Sequence, residues 1–136
     1  MNAPSLVYRD QWTAATAPAI TLRQGTTSDA PGLHALIASH LEEGRLLPRA
    51  VGELSVHAQR FVVAVHTSAD GERLVGCAEL APLSTSVAEV RSLVVDIGSR
   101  RLGLGRQMVD ALSDRAHVGG FTRLCAFAHD AAFFVR

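Results

Sequence analysis

The feature that most constrains the fold is a strand that runs into a glycine-containing loop and then into a helix. Residues 87–95 have the composition of a β-strand, and the sequence RRLGLG follows at residues 100–105. Beyond it, Met108, Leu112 and Ala116 recur at helical spacing until two glycines at residues 119–120. Any fold for this chain must therefore contain a strand, a glycine loop and a helix in direct succession.

This loop has the parts of a phosphate cradle. Its glycines let a ligand approach the backbone, and the first amides of the following helix have no partner within that helix. The helix dipole and the adjacent arginines favour an anion there. We predict that the loop binds phosphate or pyrophosphate; the alternative is a turn in which glycine only relieves crowding. A dinucleotide-binding fingerprint is excluded, because Met108 stands where its third glycine is required.

The rest of the chain predicts one domain at residues 19–136, preceded by a loosely ordered leader at residues 1–18. Strands are predicted at residues 19–23, 61–66, 73–83, 87–95 and 122–128. Helices are predicted within residues 29–44, 51–61, 105–119 and 130–135. This order is typical of an α+β or mixed α/β domain, with a central, mostly antiparallel sheet flanked by helices.

Composition excludes several classes of function. Thirteen basic and thirteen acidic residues give a net charge of zero, so no global positive field attracts nucleic acid or an anionic membrane. All thirteen basic residues are arginine. A lysine Schiff base and the lysine of a phosphate-loop NTPase are therefore excluded. No apolar run approaches the roughly 20 residues of a membrane-spanning helix.

The cysteines and histidines do not predict a disulfide or a metal site. Cys77 and Cys125 lie far apart in apolar stretches, which favours buried thiols. The six histidines show no ligand spacing. Because the first residues lack the apolar core of a signal peptide, we expect a cytoplasmic protein.

Residues 90–95 and the RRLGLG loop resemble the central motif of the GNAT superfamily of N-acetyltransferases. That signature is Arg or Gln, two residues, Gly, one residue, then Gly or Ala. Segments outside the loop resemble the acetyltransferase domain of bacterial N-acetylglutamate synthases. They are LLPR at residues 46–49, ELS at 53–55 leading to FVVA at 61–64, and CAF at 125–127 with FFVR at 133–136. The resemblance covers nearly the whole chain from about residue 20.

The resemblance implies transfer of the acetyl group of acetyl-CoA to an amine. In that fold, the strand before the loop pairs with the pantetheine arm of the cofactor, and the loop amides surround its pyrophosphate. The cofactor-binding residues implied for this chain are Leu93, Val94, Val95, Arg100, Arg101, Leu102, Gly103, Leu104, Gly105 and Arg106.

The family normally continues beyond a helix ending near Arg136 with a further pair of strands. The resemblance therefore implies that the last strands are lacking, and that the strand at residues 122–128 has an edge that is exposed or covered by another chain. Many members use a tyrosine of the closing helix to protonate the leaving thiolate. Here Phe133 and Phe134 occupy that region, so we expect solvent or another acid in this role.

Acetyl transfer needs a group that takes the proton of the acceptor amine. Glu89 is the first choice, because it lies on the strand before the loop and Arg91 projects from the same face. Glu79 on the preceding strand is the second choice. The backbone amide of Val94 is predicted to stabilise the negative thioester oxygen.

If the acceptor is glutamate, its two carboxylates call for arginine side chains that bind them through two hydrogen bonds. Arg49, Arg91 and Arg136 are suitably distributed in the family fold, and His129 after a strand end is a further pocket residue. Each of the three arginines has a simpler interpretation as an exposed side chain in a weak ion pair.

Three functions follow from these patterns. The leading hypothesis is an amino-acid N-acetyltransferase acting on glutamate in arginine biosynthesis. The second keeps acetyl-CoA and changes the acceptor to another small amine or a protein N-terminus. The third is a truncated, non-catalytic domain that binds coenzyme A or forms a homodimer through its open sheet edge.

Overall fold

The structure is a computed structural model, which describes residues 19–43, 46–127 and 132–134. Six strands of the described residues form one sheet in sequential order. The strands are β1 Ile20–Gln24, β2 Phe61–Ser68, β3 Gly71–Pro82, β4 Val87–Val95, β5 Arg123–Phe127 and β6 Ala132–Phe134. The helices are α1 Ala30–Ala38, α2 Val51–His57 and α3 Leu104–Val118. Single 3-10 turns lie at Thr27–Asp29, Leu41–Glu43, Ala58–Arg60 and Ile97–Ser99.

Neighbouring strands are antiparallel except for β4 and β5, which run parallel. The parallel pair is joined through α3, as a crossover connection requires. The predicted class, a mixed domain with a mostly antiparallel sheet and flanking helices, is confirmed. The predicted leader at residues 1–18 lies outside the described residues.

Helices cover both faces of the sheet. Alternation along β2 sends Val62 and Ala64 into a cluster with α3, and Phe61, Val63 and Val65 into a second cluster with α1 and α2. Because both faces are buried, β2 is a nearly continuous apolar run. No helix in the described ranges combines the length and apolar character needed to cross a membrane.

The predicted closing helix is wrong. Residues 132–134 form β6, which pairs antiparallel with β5 through Cys125 with Phe134 and Ala126 with Phe133. The aromatic residues that suggested one face of a helix also have high strand propensity, and the free edge of β5 gives that strand a partner. Residues 125–127 of that edge are therefore paired within the chain, and dimerisation stays a prediction.

The turn before α1 is held by an ion pair between β1 and Asp29. Arg23 donates from Nη1 to Asp29 Oδ2 at 2.8 Å and from Nη2 to Oδ1 at 3.0 Å. The Thr26 amide donates to the same Oδ2 at 2.8 Å. The hydrogen bond from Arg23 lowers the pKa of Asp29 against the opposing effect of burial.

Replacing Asp29 with Asn should lower the free energy of unfolding by about 1–2 kcal/mol at neutral pH, because charge-assisted bonds are lost. A lowered folded-state pKa gives stability that is complete above the ordinary aspartate value of about 3.9 and lost as the pH falls through the folded value. The gap between wild type and variant should therefore close in acid, as urea unfolding at a series of pH values will measure. Glu72→Gln is the control, since Glu72 is an exposed partner of Arg23 at 3.4 Å. Equal losses in both variants, or a gap that is independent of pH, would contradict the assignment.

Candidate functional site

Strand β4 carries a bulge opposite β3. Cys77 pairs with Val94, whereas Glu79 pairs with Arg91, so two steps along β3 correspond to three steps along β4. Ser92 lies within the longer step and has a φ of +53°, a left-handed conformation that residues other than glycine rarely adopt. The sequence contains no glycine or proline there that would have predicted a bulge.

The bulge changes which face the end of β4 presents. Val90 packs in the cluster with α3, while Val94, four residues later, packs in the cluster with α1 and α2. In a regular strand these two side chains would share a face. The parallel pairing of β4 with β5 ends at Val90 opposite Ala126, so residues 91–95 make no pair with β5 in the described part of the chain. One backbone edge of β4 is therefore open just before the glycine loop.

Alternation of the backbone assigns individual amides to this edge. The Asp96 amide donates to the Val75 carbonyl on β3 at 2.8 Å, and Val94 pairs with Cys77 on β3. The intervening Val95 amide consequently points to the open edge, where Arg100 Nε donates to the Val95 carbonyl at 2.9 Å. The oxyanion role of Val94 stays a prediction, and Val95 is the neighbour with the better-directed amide.

The glycine loop runs directly from this edge into α3. Gly103 has a φ of +75° at the helix start, and Arg101 also has a positive φ of +71°. The first bond within the helix runs from the Gln107 amide to the Gly103 carbonyl at 3.0 Å. The amides of Gly105 and Arg106, which precede it, have no partner in the helix and are available to an anion. The predicted loop thus has the geometry of an anion site continuous with the open edge.

On the α1 and α2 face, beside the bulge, Arg49 joins two carboxylates and Ser92. Its Nη1 donates to Glu79 Oε1 at 2.9 Å and to Ser92 Oγ at 2.8 Å. Its Nε and Nη2 both lie 3.0 Å from Glu53 Oε2. The guanidinium also lies 5.9 Å from the centre of the Phe61 ring. Four of its five N–H groups therefore face acceptors of this chain, and one remains for another ligand.

Glu79 is the most buried charged side chain of this cluster, with 1% of its side chain exposed. Its Oε2 atom makes no hydrogen bond to the described residues and lies 3.9 Å from Arg60 Nη1. A carboxylate is retained in an interior position only where cations compensate its charge. Arg49 and Arg60 provide that compensation, and Arg60 was not predicted from the sequence.

Glu89 and Arg91 lie one strand further along the same face. Arg91 Nε donates to Glu89 Oε1 at 2.6 Å. The two terminal nitrogens of Arg91 make no hydrogen bond within the described residues, and 45% of the side chain is exposed. The predicted proton acceptor and one predicted acceptor-binding arginine are therefore directly linked, beside the open edge of β4.

Charge and burial act together on the Arg49 cluster. Burial lowers the pKa of Arg49, but its hydrogen bonds to Glu53 and Glu79 outweigh that effect and raise the pKa above its usual value. The hydrogen bond from Arg49 lowers the pKa of Glu53. The ion pair between Arg49 and Glu53 is therefore fully charged at neutral pH.

Both cysteines are buried free thiols, as predicted. Burial raises the pKa of Cys77 to about 12, so the thiol is protonated at neutral pH and donates to the Ser92 carbonyl at 3.3 Å. A protonated thiol is a poor nucleophile, which leaves Cys77 a structural role at the bulge. Among the described residues, no three His, Cys, Asp or Glu side chains are grouped to hold a metal.

The structure brings most of the predicted site residues to one region. The open edge and the glycine loop contain all the predicted cofactor-binding residues, and Arg49, Glu89 and Arg91 lie beside them. Arg136 and His129 lie outside the described residues. Sequence reasoning missed Glu53, although its spacing of four from Arg49 is a signal for an ion pair near a helix start. It also missed Ser92, for which the sequence carries no signal.

A family model described as acetyltransferase (GNAT) family matches residues 20–134. An amino-acid acetyltransferase of Mycobacterium tuberculosis is 30% identical over 115 residues, covering 85% of this chain and 65% of that protein. An amino-acid acetyltransferase of Neisseria meningitidis is 31% identical over 110 residues, covering 80% of this chain and 24% of that protein. The chain thus spans about two thirds of the first relative and about a quarter of the second.

Solved structures have the same fold. N-acetylglutamate synthase of Neisseria gonorrhoeae, complexed with coenzyme A and N-acetyl-glutamate, matches with a TM-score of 0.73 and 29% identity, covering 85% of this chain and 26% of that one. A Mycobacterium tuberculosis protein in complex with CoA matches with a TM-score of 0.72 and 28% identity, covering 81% of this chain and 65% of that one.

Proposed function

This chain belongs to the acetyltransferase (GNAT) family, and we propose that it transfers the acetyl group of acetyl-CoA to the amino group of L-glutamate. Members of this family are N-acetyltransferases whose co-substrate is acetyl-CoA. The observation that carries the proposal is the open edge of β4, which leads directly into the unpartnered amides of α3. Relatives named amino-acid acetyltransferase support an amino acid as the acceptor.

The cofactor contacts this chain through backbone rather than side-chain chemistry. The open edge of β4 at residues 93–95 pairs with the extended pantetheine arm, as an added strand would. The amides of Gly105 and Arg106 then meet the pyrophosphate, and the exposed Arg100, Arg101 and Arg106 side chains add positive charge.

For the reaction, the acceptor must first lose the proton of its ammonium group. We assign this step to Glu89, whose second oxygen makes no hydrogen bond within the described residues. The free amine attacks the thioester carbonyl, and the Val95 amide, which points to the open edge beside the predicted Val94, stabilises the negative oxygen. As the intermediate collapses, the nitrogen gives its second proton to solvent, and the thiolate of coenzyme A leaves and takes a proton from solvent. No covalent enzyme intermediate forms.

The acceptor carboxylates are assigned to arginines of the same face. Arg91 has two uncommitted terminal nitrogens, the arrangement that binds a carboxylate through two hydrogen bonds. Arg49 contributes its one remaining N–H. Arg136 keeps its predicted role as a third contact, although its position lies outside the described residues.

Two measurements on the purified chain test the function. Calorimetric titration with acetyl-CoA should show binding, and a thiol-release assay should show faster turnover with glutamate than with aspartate, glutamine, other small amines or a peptide N-terminus. Faster turnover of a different amine would support the acetyltransferase chemistry and contradict the acceptor. Binding without turnover of any amine would favour a non-catalytic domain that binds coenzyme A.

Arg91→Ala should raise the KM for glutamate by about ten- to a hundredfold, since one charge-assisted carboxylate contact contributes about 1.5–3 kcal/mol. The affinity for acetyl-CoA should stay within about twofold, because the cofactor meets the backbone of β4. Arg73→Ala is the matched control, because Arg73 is an exposed arginine 3.3 Å from Asp96 and lies six residues along β3 from Glu79, the residue that pairs with Arg91. Steady-state kinetics with both substrates varied will distinguish these effects, and an unchanged glutamate KM in Arg91→Ala would contradict the assignment.

A further inference from the structure

We propose that Glu79 is a positioning residue for the cofactor-binding edge of β4, acting through Arg49 on the bulge residue Ser92. This role rests on the proposed function, because the edge that it orders is the one assigned to acetyl-CoA. Glu79 itself touches neither that edge nor the reacting atoms, and its effect passes through one shared nitrogen, Arg49 Nη1.

The bulge at Ser92 needs support from surrounding contacts. Ser92 has a φ of +53°, which is unfavourable for a residue with a Cβ and persists only where surrounding contacts hold it. Two contacts do so: Arg49 Nη1 donates to Ser92 Oγ at 2.8 Å, and Cys77 Sγ donates to the Ser92 carbonyl at 3.3 Å. The amides of residues 93–95 follow directly, so the conformation of Ser92 sets their direction.

Glu79 sets the position of Arg49. Arg49 precedes α2 and comes from a connecting segment, whereas Glu79 comes from the interior strand β3. The other carboxylate on the same guanidinium, Glu53, is 44% exposed and contacts the Nε and Nη2 side. Because Nη1 carries both the Glu79 and the Ser92 bonds, a well-ordered Glu79 aims the second hydrogen of Nη1 at the bulge. Glu53 alone would leave that nitrogen undirected.

Burial separates this role from that of a general base. Glu79 Oε1 is committed to Arg49, and Oε2 is covered by protein, so an acceptor amine has no direct access to either oxygen. A proton acceptor must come within hydrogen-bond distance of the amine. A buried carboxylate between two arginines meets the requirements of positioning rather than of proton transfer.

The experiment compares Glu79→Gln and Ser92→Ala with Glu53→Gln as the matched control. We expect the first two variants to bind coenzyme A about five- to tenfold more weakly by calorimetry, and the control to stay within about twofold. Hydrogen exchange of the peptide that covers residues 92–95 should accelerate in Glu79→Gln and Ser92→Ala but not in Glu53→Gln. In a double-mutant cycle, Glu79→Gln and Ser92→Ala should be non-additive, although the two side chains share only Arg49.

A general base would behave differently. Its loss would lower kcat in a pH-dependent way and leave the affinity for coenzyme A unchanged. That result for Glu79→Gln would overturn the positioning role, as would additive effects in the cycle. If Glu79→Gln does not fold, Ser92→Ala decides alone, because it keeps every charge. Wild-type affinity for coenzyme A together with wild-type hydrogen exchange at residues 92–95 in Ser92→Ala would overturn the proposal.

The wild-type titration separates this proposal from the proposed function. Wild-type protein that does not bind coenzyme A would contradict the function and, with it, this role. Wild-type protein that binds coenzyme A, alongside folded variants that bind it equally well, would contradict the positioning role alone.

Discussion

Arg49→Met is expected to lower the free energy of unfolding by about 3–5 kcal/mol, because it leaves the interior carboxylate of Glu79 without its main partner. The two side chains are 8% and 1% exposed, and their atoms are 2.9 Å apart. A buried charge that loses its counter-ion keeps the full cost of desolvation. Urea denaturation at neutral pH will measure the loss.

The control for this prediction is Arg91→Met. Arg91 forms a shorter ion pair, 2.6 Å from Glu89, but its side chain is 45% exposed, so its loss should cost less than about 1 kcal/mol. The double variant Arg49→Met with Glu79→Gln should recover at least half of the stability, since no unpaired charge then remains in the core. Equal losses for the two arginines would show that burial of Glu79 is not what makes Arg49 important.

Gly103→Val is expected to weaken acetyl-CoA binding by well over tenfold, which corresponds to about 1.4 kcal/mol or more. Gly103 has a φ of +75°, a region that valine strongly disfavours, and it precedes the amides proposed to bind the pyrophosphate. The space beside it is open, since the nearest atom to an added Cβ is Gln107 Nε2 at 3.8 Å. The weaker binding should therefore come from altered backbone geometry and from a valine side chain that occupies the space of the ligand. Calorimetric titration of the folded variant will quantify the loss of affinity.

Gly98→Val is the matched control, because Gly98 lies in the 3-10 turn just before the loop, with ordinary φ and nothing within 4 Å of an added Cβ. Gly103→Asn separates the two causes, since asparagine tolerates the left-handed region. Gly103→Asn should therefore be more stable than Gly103→Val, because the backbone strain is smaller. It should still bind acetyl-CoA more weakly than the wild type, because its side chain occupies the ligand's space. Unchanged cofactor affinity in folded Gly103→Val would remove the main support for the loop assignment.

The glycine loop shows how much local sequence predicts. Gly103 and Gly105 stand between a strand pattern and a helical pattern, and the structure has a positive φ and an open helix start there. Both features depend on residues close together in the chain, so backbone preference and helix capping suffice to predict them. The strands β2, β3 and β4 were predictable for the same reason, from runs of β-branched residues bounded by turn signals.

The closing segment and the Arg49 cluster show where local sequence is insufficient. The Phe133 and Phe134 pattern predicted a helix, and pairing with β5 made it a strand. Arg49 was predicted to bind a substrate carboxylate, whereas four of its five N–H groups face Glu53, Glu79 and Ser92 of its own chain. Ion pairs between residues 30 apart, such as Arg49 and Glu79, depend on how helices and strands pack, which periodicity does not encode.

The sequence by itself determined the class of the fold, the position of the glycine loop and the family, because these follow from short-range patterns of glycine, arginine and apolar residues. Only the tertiary structure decided which backbone edge is open and which carboxylate is buried. The bulge at Ser92 exists because β3 and β4 pair out of step, and the edge beyond it opens because β5 pairs with β4 only as far as Val90. Strand register and burial are properties of the packed chain, since they are set by neighbours distant in sequence.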